Sequence, residues 1–316
     1  MATEFQQKLR IKLGQERTLA NGKQKTLAPT TIDLYLKQLQ YLHGGPFDNL
    51  LWLKDVDGIK KKLGQKKCTS RKVGYSAIVT VLKVLKNDAL ATPYGNLLFE
   101  ALTECAKIDP NKKTEKQEAN WMSWADIEKI FDGLEFKAKG LATLKKLNTT
   151  NYDTMLRYMV LALYVTLPPG RNVDYVAMMV MPKKGDGVMP TDYNGLDLRT
   201  NTMIFNKFKT VADMGQQKVS FGSRTRFVEA LNRYLKYNPH RSDTLPYHFL
   251  VRRNGNEMND SLQLTKFLNK IFAPKMISSS MLRHIYLSDK YDVEEMKKDA
   301  ELMRHSEAMQ HDYLKS

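Results

Sequence analysis

The stretch SSSMLRHIYLSDKYDVEEMKKDAELMRHSEAMQHDYLKS, residues 278–316, decides how the rest of the chain is read. Its serine-rich start predicts a helix beginning near Ser278, which places Arg283 in the second turn and His284 beside it. Asp292-x-x-Glu295 has the form of a capping box and predicts a second helix to about Met303, delivering Arg304, His305 and Ser306 at its end. Tyr313 follows eight positions after His305. Taken singly, an Arg, a His or a Tyr is most often a solvated surface group or a satisfied core group. Together, in a basic chain, they point to a phenolic nucleophile acting on a phosphodiester.

The composition agrees with such a partner. With 316 residues, at roughly 150 per domain, the chain predicts two domains, each large enough for its own core. Hydrophobic residues make up 42% and charged residues 27%, which excludes wholesale disorder. Lys and Arg number 50 against 34 Asp and Glu, a formal charge of +16, and such an excess favours a polyanion because neutralising phosphates releases counterions. A membrane surface is the competing partner, but the longest strongly apolar run, 158–165, falls far short of a bilayer span, and no signal-peptide pattern opens the chain. Cys68 and Cys105 alone build neither a disulfide framework nor a zinc site, so an intracellular protein is expected, in nucleus or cytoplasm. Six histidines show no ligand spacing, so no metal and no cofactor are expected.

Residues 1–25 are polar and basic without sustained periodicity and predict an N-terminal arm. Residues 26–106 predict a small helical domain. Thr30 or Thr31 caps a helix whose Ile32, Tyr35, Leu36, Leu39 and Leu42 share one face until Gly44-Gly45-Pro46 stops it. Further helices are expected over 56–63, 75–85 and 94–106. From the first of these to the start of the next lie Lys60, Lys61, Lys62, Lys66, Lys67, Arg71 and Lys72 with no acid among them. A charge run is usually a solvated face; leading into an amphipathic helix, this one is expected to face DNA.

Residues 107–120, polar and carrying a proline, predict a linker to a second domain over 121–316. Ser123 and Asp126 form a capping box, with Met122 and Ile127 as its hydrophobic staple. An apolar helix over 152–165 follows, and the methionines there and at 178–181 read as core packing. Next comes LPPGRNVDY, 167–175, in which a rigid turn sets Arg171 at a helix start with Asp174 one turn on. Helix N-termini favour phosphate, and an arginine there grips two phosphate oxygens; the alternative is a surface pair between Arg171 and Asp174. The stretch 196–220 predicts a β-hairpin turning near Met214-Gly215. In strand geometry Met203, Phe205, Lys207 and Lys209 share one face, so alternation does not separate the two lysines. Helices over 225–237 and 261–272 and a short buried segment at 247–250 complete the domain.

Arg171 followed three positions later by Asp174, Arg283 in LRH, His305 in RHS, and Tyr313 beyond it resemble the signature of the tyrosine recombinase (phage integrase) family, across 25–316 with the specific motifs in the second domain. The resemblance implies a mainly α fold with a small β-hairpin or sheet in a catalytic domain, preceded by a helical core-binding domain, the two forming a DNA clamp. It implies a viral or mobile-element integrase that cuts and rejoins double-stranded DNA through a 3′-phosphotyrosyl bond and self-associates on DNA, as dimer to tetramer. Tyr313 would attack, Arg171 and Arg283 grip the phosphate, His305 position an oxygen or help with proton transfer, and a hairpin lysine protonate the leaving 5′ oxygen. Lys209-Thr210 resembles the family's frequent Lys-Thr form, which favours Lys209 over Lys207. Ser280 stands where the family usually has His or Lys, the His305–Tyr313 interval is one residue tighter than in many members, and only three residues follow the tyrosine, so the docking C-terminal helix of many members is expected to be missing. Two alternatives use the same sequence: a type IB topoisomerase, and a non-catalytic DNA-binding protein on a decayed recombinase fold.

Overall fold

The computed structural model describes the chain except residues 1, 19–23, 186, 290–298, 301, 305, 307–308, 310–312 and 316; at 17, 18, 24, 25 and 213 only the backbone is described. Two compact units result, Met1–Asp109 and Pro110–Ser316, dividing within the stretch expected as a linker. The latter half of that stretch is a capped helix, because Thr114 and Gln117 close a reciprocal capping box.

The first unit holds α1 (Glu4–Leu13), a short antiparallel pair β1 (Arg17–Thr18) and β2 (Gln24–Lys25), then α2 (Pro29–His43), α3 (Val56–Gly64), α4 (Cys68–Val84) and α5 (Asp88–Ala106). The N-terminal arm expected over 1–25 is corrected here. Thr3 and Gln6 form a capping box, and Leu9 and Leu13 bury themselves in the same core as Ile32, Leu36 and Leu39. Two leucines four apart are too few to register as sustained periodicity, yet they suffice to dock a ten-residue helix. α5 begins at Asp88, ahead of the expected Tyr94, because the Asn87 side chain caps the Leu90 amide at 3.3 Å.

The second unit holds α6 (Glu115–Asn120), α7 (Trp124–Leu141), α8 (Thr149–Val165), α9 (Asn172–Tyr175), β3 (Met179–Met181), β4 (Gly195–Asp197), β5 (Thr202–Phe205), α10 (Val211–Met214), β6 (Gln217–Ser220), α11 (Thr225–Leu235), β7 (Tyr247–His248), α12 (Ser261–Ile271) and α13 (Ser279–Asp289). α8 is apolar all round over its second half, and that makes it the central helix: α7, α11 and α12 pack on it. Ser123 caps α7 by accepting from the Asp126 amide. The expected hairpin proves to be part of a five-stranded mixed sheet in the order β6-β5-β4-β3-β7, parallel only between β3 and β4. β3 escapes notice in sequence because three apolar residues, two of them buried, show no alternation. Among the described residues, no helix is long and apolar enough to cross a membrane.

Candidate active site

LPPGRNVDY folds as a single turn, α9, pinned by Asn172, whose amide donates to the Ser261 carbonyl and the Thr265 hydroxyl while its oxygen accepts from Tyr164. A helix this short offers no N-terminal phosphate site of the kind expected, and the Arg171 amide already donates to Asp174 Oδ2 at 2.7 Å. The Arg171 side chain is what remains for chemistry. Nor is Asp174 its surface partner. Asp174 is fully buried, and its charge is met by Arg304, whose Nη2 lies 2.6 Å from Oδ2 with the two side chains 3% and 0% exposed.

Arg304 is the residue that sequence reasoning passed over. Its guanidinium lies 3.8 Å from the Phe205 ring centroid and hydrogen-bonds Tyr175. Although burial disfavours its charge, Asp174 and Tyr175 more than offset that and raise its pKa above the ordinary arginine value. The sequence signal was slight: an acid at 174 beside a motif arginine, and an arginine beside His305, separated by 130 positions. Gly170 is required by the same cluster, since a Cβ there would stand 2.5 Å from Arg304 Nη2 and 2.6 Å from Tyr175 Oη. Gly170→Ala is therefore expected to cost about 1–3 kcal/mol through overpacking. Thermal unfolding checks this, and a midpoint equal to wild type would show that the cluster yields freely.

Arg283, on α13, is 1% exposed, and the Tyr313 ring covers it with the guanidinium carbon 4.2 Å from the ring centroid. Burial is the main force pulling the Arg283 pKa down, to about 10; Tyr313 and Asp174 oppose it, and Arg171 and Arg304 add to it. Arg171, Arg283, Asp174, Arg304 and Tyr313 thus share one electrostatic neighbourhood. His284 lies beside it, its ring 4.9 Å from that of Tyr313. A carbonyl only accepts, so His284 Nδ1 carries the proton that it donates to the Tyr313 carbonyl at 2.9 Å. Burial lowers the His284 pKa and keeps the ring neutral at pH 7.

The other candidates fall as follows. Lys207 and Lys209 lie in the β5–β6 connection and not on a strand, so the shared strand face expected for them does not exist. The cause is Asn194, whose side-chain oxygen accepts from the Asn206 and Lys207 amides at 2.8 and 2.7 Å and whose amide donates to the Lys207 carbonyl, turning the chain out of the sheet. Lys207 Nζ is 4.0 Å from Asp192, whereas Lys209 precedes Thr210, whose hydroxyl donates to the Arg304 carbonyl at 2.9 Å. Both lysines are exposed, and Ser280 is exposed on α13. His305 and the capping box at 292–295 lie outside the described residues. In the first unit Lys60, Lys61, Lys66, Lys67 and Lys72 are exposed, but Arg71 pairs with Glu104 of α5, and Lys62 donates to the Leu42 carbonyl and, like Lys66, sits over the Tyr41 ring.

Chemically, a buried arginine, a second arginine and a phenol, both half-buried, in one neighbourhood suit an anion with a displaceable ester bond: the guanidiniums hold oxygens, and the phenol supplies a nucleophile. No protein-family model matches the chain, and no curated protein matches it. Among solved structures, one similar chain is described as the crystal structure of XerA recombinase, at 14% identity over 92% of this chain and 88% of that one, with a TM-score of 0.38. A likeness at that TM-score is weak.

Proposed function

We propose that this chain is a site-specific DNA recombinase or integrase that cuts and rejoins double-stranded DNA through a 3′-phosphotyrosyl intermediate. The observation that carries the reading is the Tyr313 ring lying over the buried Arg283 guanidinium, with Arg171 in the same electrostatic neighbourhood. An arginine kept charged in a buried setting alongside other cations gains from an anionic oxygen, which repays its lost hydration. In the proposed step Tyr313 Oη attacks the scissile phosphorus, its phenolic proton passing to His305, and the bond from phosphorus to the 5′ oxygen breaks. The leaving oxygen takes a proton from Lys209 and departs as a 5′-hydroxyl. The new ester bond is kept for rejoining when another 5′-hydroxyl attacks in reverse. Charge spread over the non-bridging oxygens is met by Arg171 and Arg283, and positioning with electrostatics lowers the barrier. His305 joins this proposal from its motif alone, and the exposed lysines of the first unit add distributed phosphate contacts. Strand exchange between two duplexes takes several copies, so self-association on DNA belongs to the proposal; a topoisomerase would work as a monomer.

The experiment is a covalent-adduct assay on a nicked target site, in EDTA, with denaturing gels as readout. Adduct at the DNA 3′ phosphate is the expected result, and its absence on the true site would defeat the reading. The same assay separates the lysines. A substrate whose bridging 5′ oxygen is sulfur needs no proton to leave, so it should restore Lys209→Ala from a loss of roughly 10²–10⁴-fold while Lys207→Ala needs no restoring. The opposite pattern would give the role to Lys207.

A further inference from the structure

We propose that Arg304 is a positioning residue: with its guanidinium locked among Asp174, Tyr175 and Phe205, it pins the chain one residue before His305 and so sets where Tyr313 meets Arg283. This deepens the strand-transfer reading and, for its effect on the reaction, rests on it.

Residue 304 is held from both ends. Its side chain donates to Asp174 Oδ2 at 2.6 Å and to the Leu302 carbonyl at 2.9 Å, and sits over the Phe205 ring of β5. Its carbonyl accepts from the Thr210 hydroxyl at 2.9 Å and from Arg171 Nη1 at 3.5 Å. Arg171 Nη2 then reaches Met309 Sδ at 3.5 Å, further along the same segment. The backbone at Arg304 is left-handed, φ 57°, a conformation a non-glycine residue keeps only when its surroundings over-determine it.

Stability alone is a poor account of this arrangement. A buried ion pair returns little net stability over apolar residues of similar volume, and its best-attested use is to specify one geometry among several. Here the specified geometry concerns the segment that bears the nucleophile. Asp174, fixed by α9 next to Arg171, is the receiving end, so one element presents a phosphate-gripping arginine and also anchors the tyrosine segment.

The test uses the full chain with Arg304→Lys, which keeps the charge but loses the planar fork, and Thr210→Val, which removes the hydroxyl that donates to the Arg304 carbonyl and, more weakly at 3.5 Å, to Met214 Sδ. Deuterium exchange at the amides of 302–304, 306, 309 and 313–315 in DNA-free protein, DNA affinity and single-turnover adduct rate on pre-bound DNA are measured together. Exchange at these amides should quicken about tenfold or more in both variants as local opening becomes easier. The adduct rate should fall about 100-fold in Arg304→Lys, the scale of a misplacement near 1 Å. DNA affinity should stay within about twofold, because distributed phosphate contacts carry it. Added guanidinium ion should restore part of the lost rate in Arg304→Ala, which a purely global loss of stability would not allow. Unchanged exchange and unchanged rate would overturn the proposal, as would a lost rate with exchange still at the wild-type level. Quickened exchange in the variants with no adduct from wild type would uphold the anchor and refute the strand-transfer reading.

Discussion

Tyr313→Phe is expected to abolish the covalent adduct while leaving DNA binding and folding nearly as they are. The substitution removes one oxygen and keeps the ring that lies 4.2 Å from the Arg283 guanidinium, as well as the backbone carbonyl that His284 holds at 2.9 Å. Packing at the site therefore survives, and affinity resting on many phosphate contacts does not depend on a single hydroxyl. The phenylalanine has no atom with which to form the ester, so the loss is absolute and not a matter of rate. Denaturing gels of wild type and variant on the nicked site, alongside equilibrium binding and thermal unfolding, check all three parts. Adduct from the variant would place the nucleophile elsewhere. Tyr286 is poorly set for that role, since its hydroxyl donates to Asp299 and its ring packs edge-on against Trp124. Full-strength adduct from Tyr313→Phe would thus refute the site assembled here.

The sequence reveals most where one residue type answers to one local rule. Helices α2, α4, α8, α11 and α12 are legible because each buries one side or all of itself, and burial at helical spacing leaves a visible period. Arg171, Arg283 and Tyr313 are legible because a motif carries each of them, and the structure brings the three together. His284, read from sequence as a secondary candidate beside Arg283, has its ring 4.9 Å from that of Tyr313.

What stays hidden is whatever depends on a partner far along the chain. Asp174 reads as the local mate of Arg171, and nothing within a few residues shows that it faces Arg304 across 130 positions. Arg71 reads as one of seven unopposed cations, yet Glu104 meets it at the far end of the packed pair α4 and α5. The lysines in the β5–β6 connection read as a continued strand because period two carries on in the letters, while Asn194, several residues earlier, is the group that bends the chain away. In each case a local pattern was sound as far as it went and a long-range hydrogen bond or ion pair decided the outcome.

Arg283→Ala should slow adduct formation by about 10²–10³-fold, or about 3–4 kcal/mol of transition-state stabilisation, the cost of losing one donor aimed at developing phosphate charge. At 1% exposure the guanidinium has given up its hydration, and burial together with Arg171 and Arg304 disfavours its charge. In the proposed reaction a phosphate oxygen at that spot would restore what burial removed, most strongly when negative charge grows in the transition state. Removing the side chain takes away that gain and also the flat surface on which the Tyr313 ring rests. Ser280, three positions earlier and exposed, has neither property, so Ser280→Ala should slow the reaction far less. Single-turnover rates on pre-bound DNA compare the two variants directly. Equal and severe losses would show that Ser280 contacts the phosphate as closely as Arg283 does, and an Arg283→Ala rate near wild type would remove the buried guanidinium from the reaction altogether.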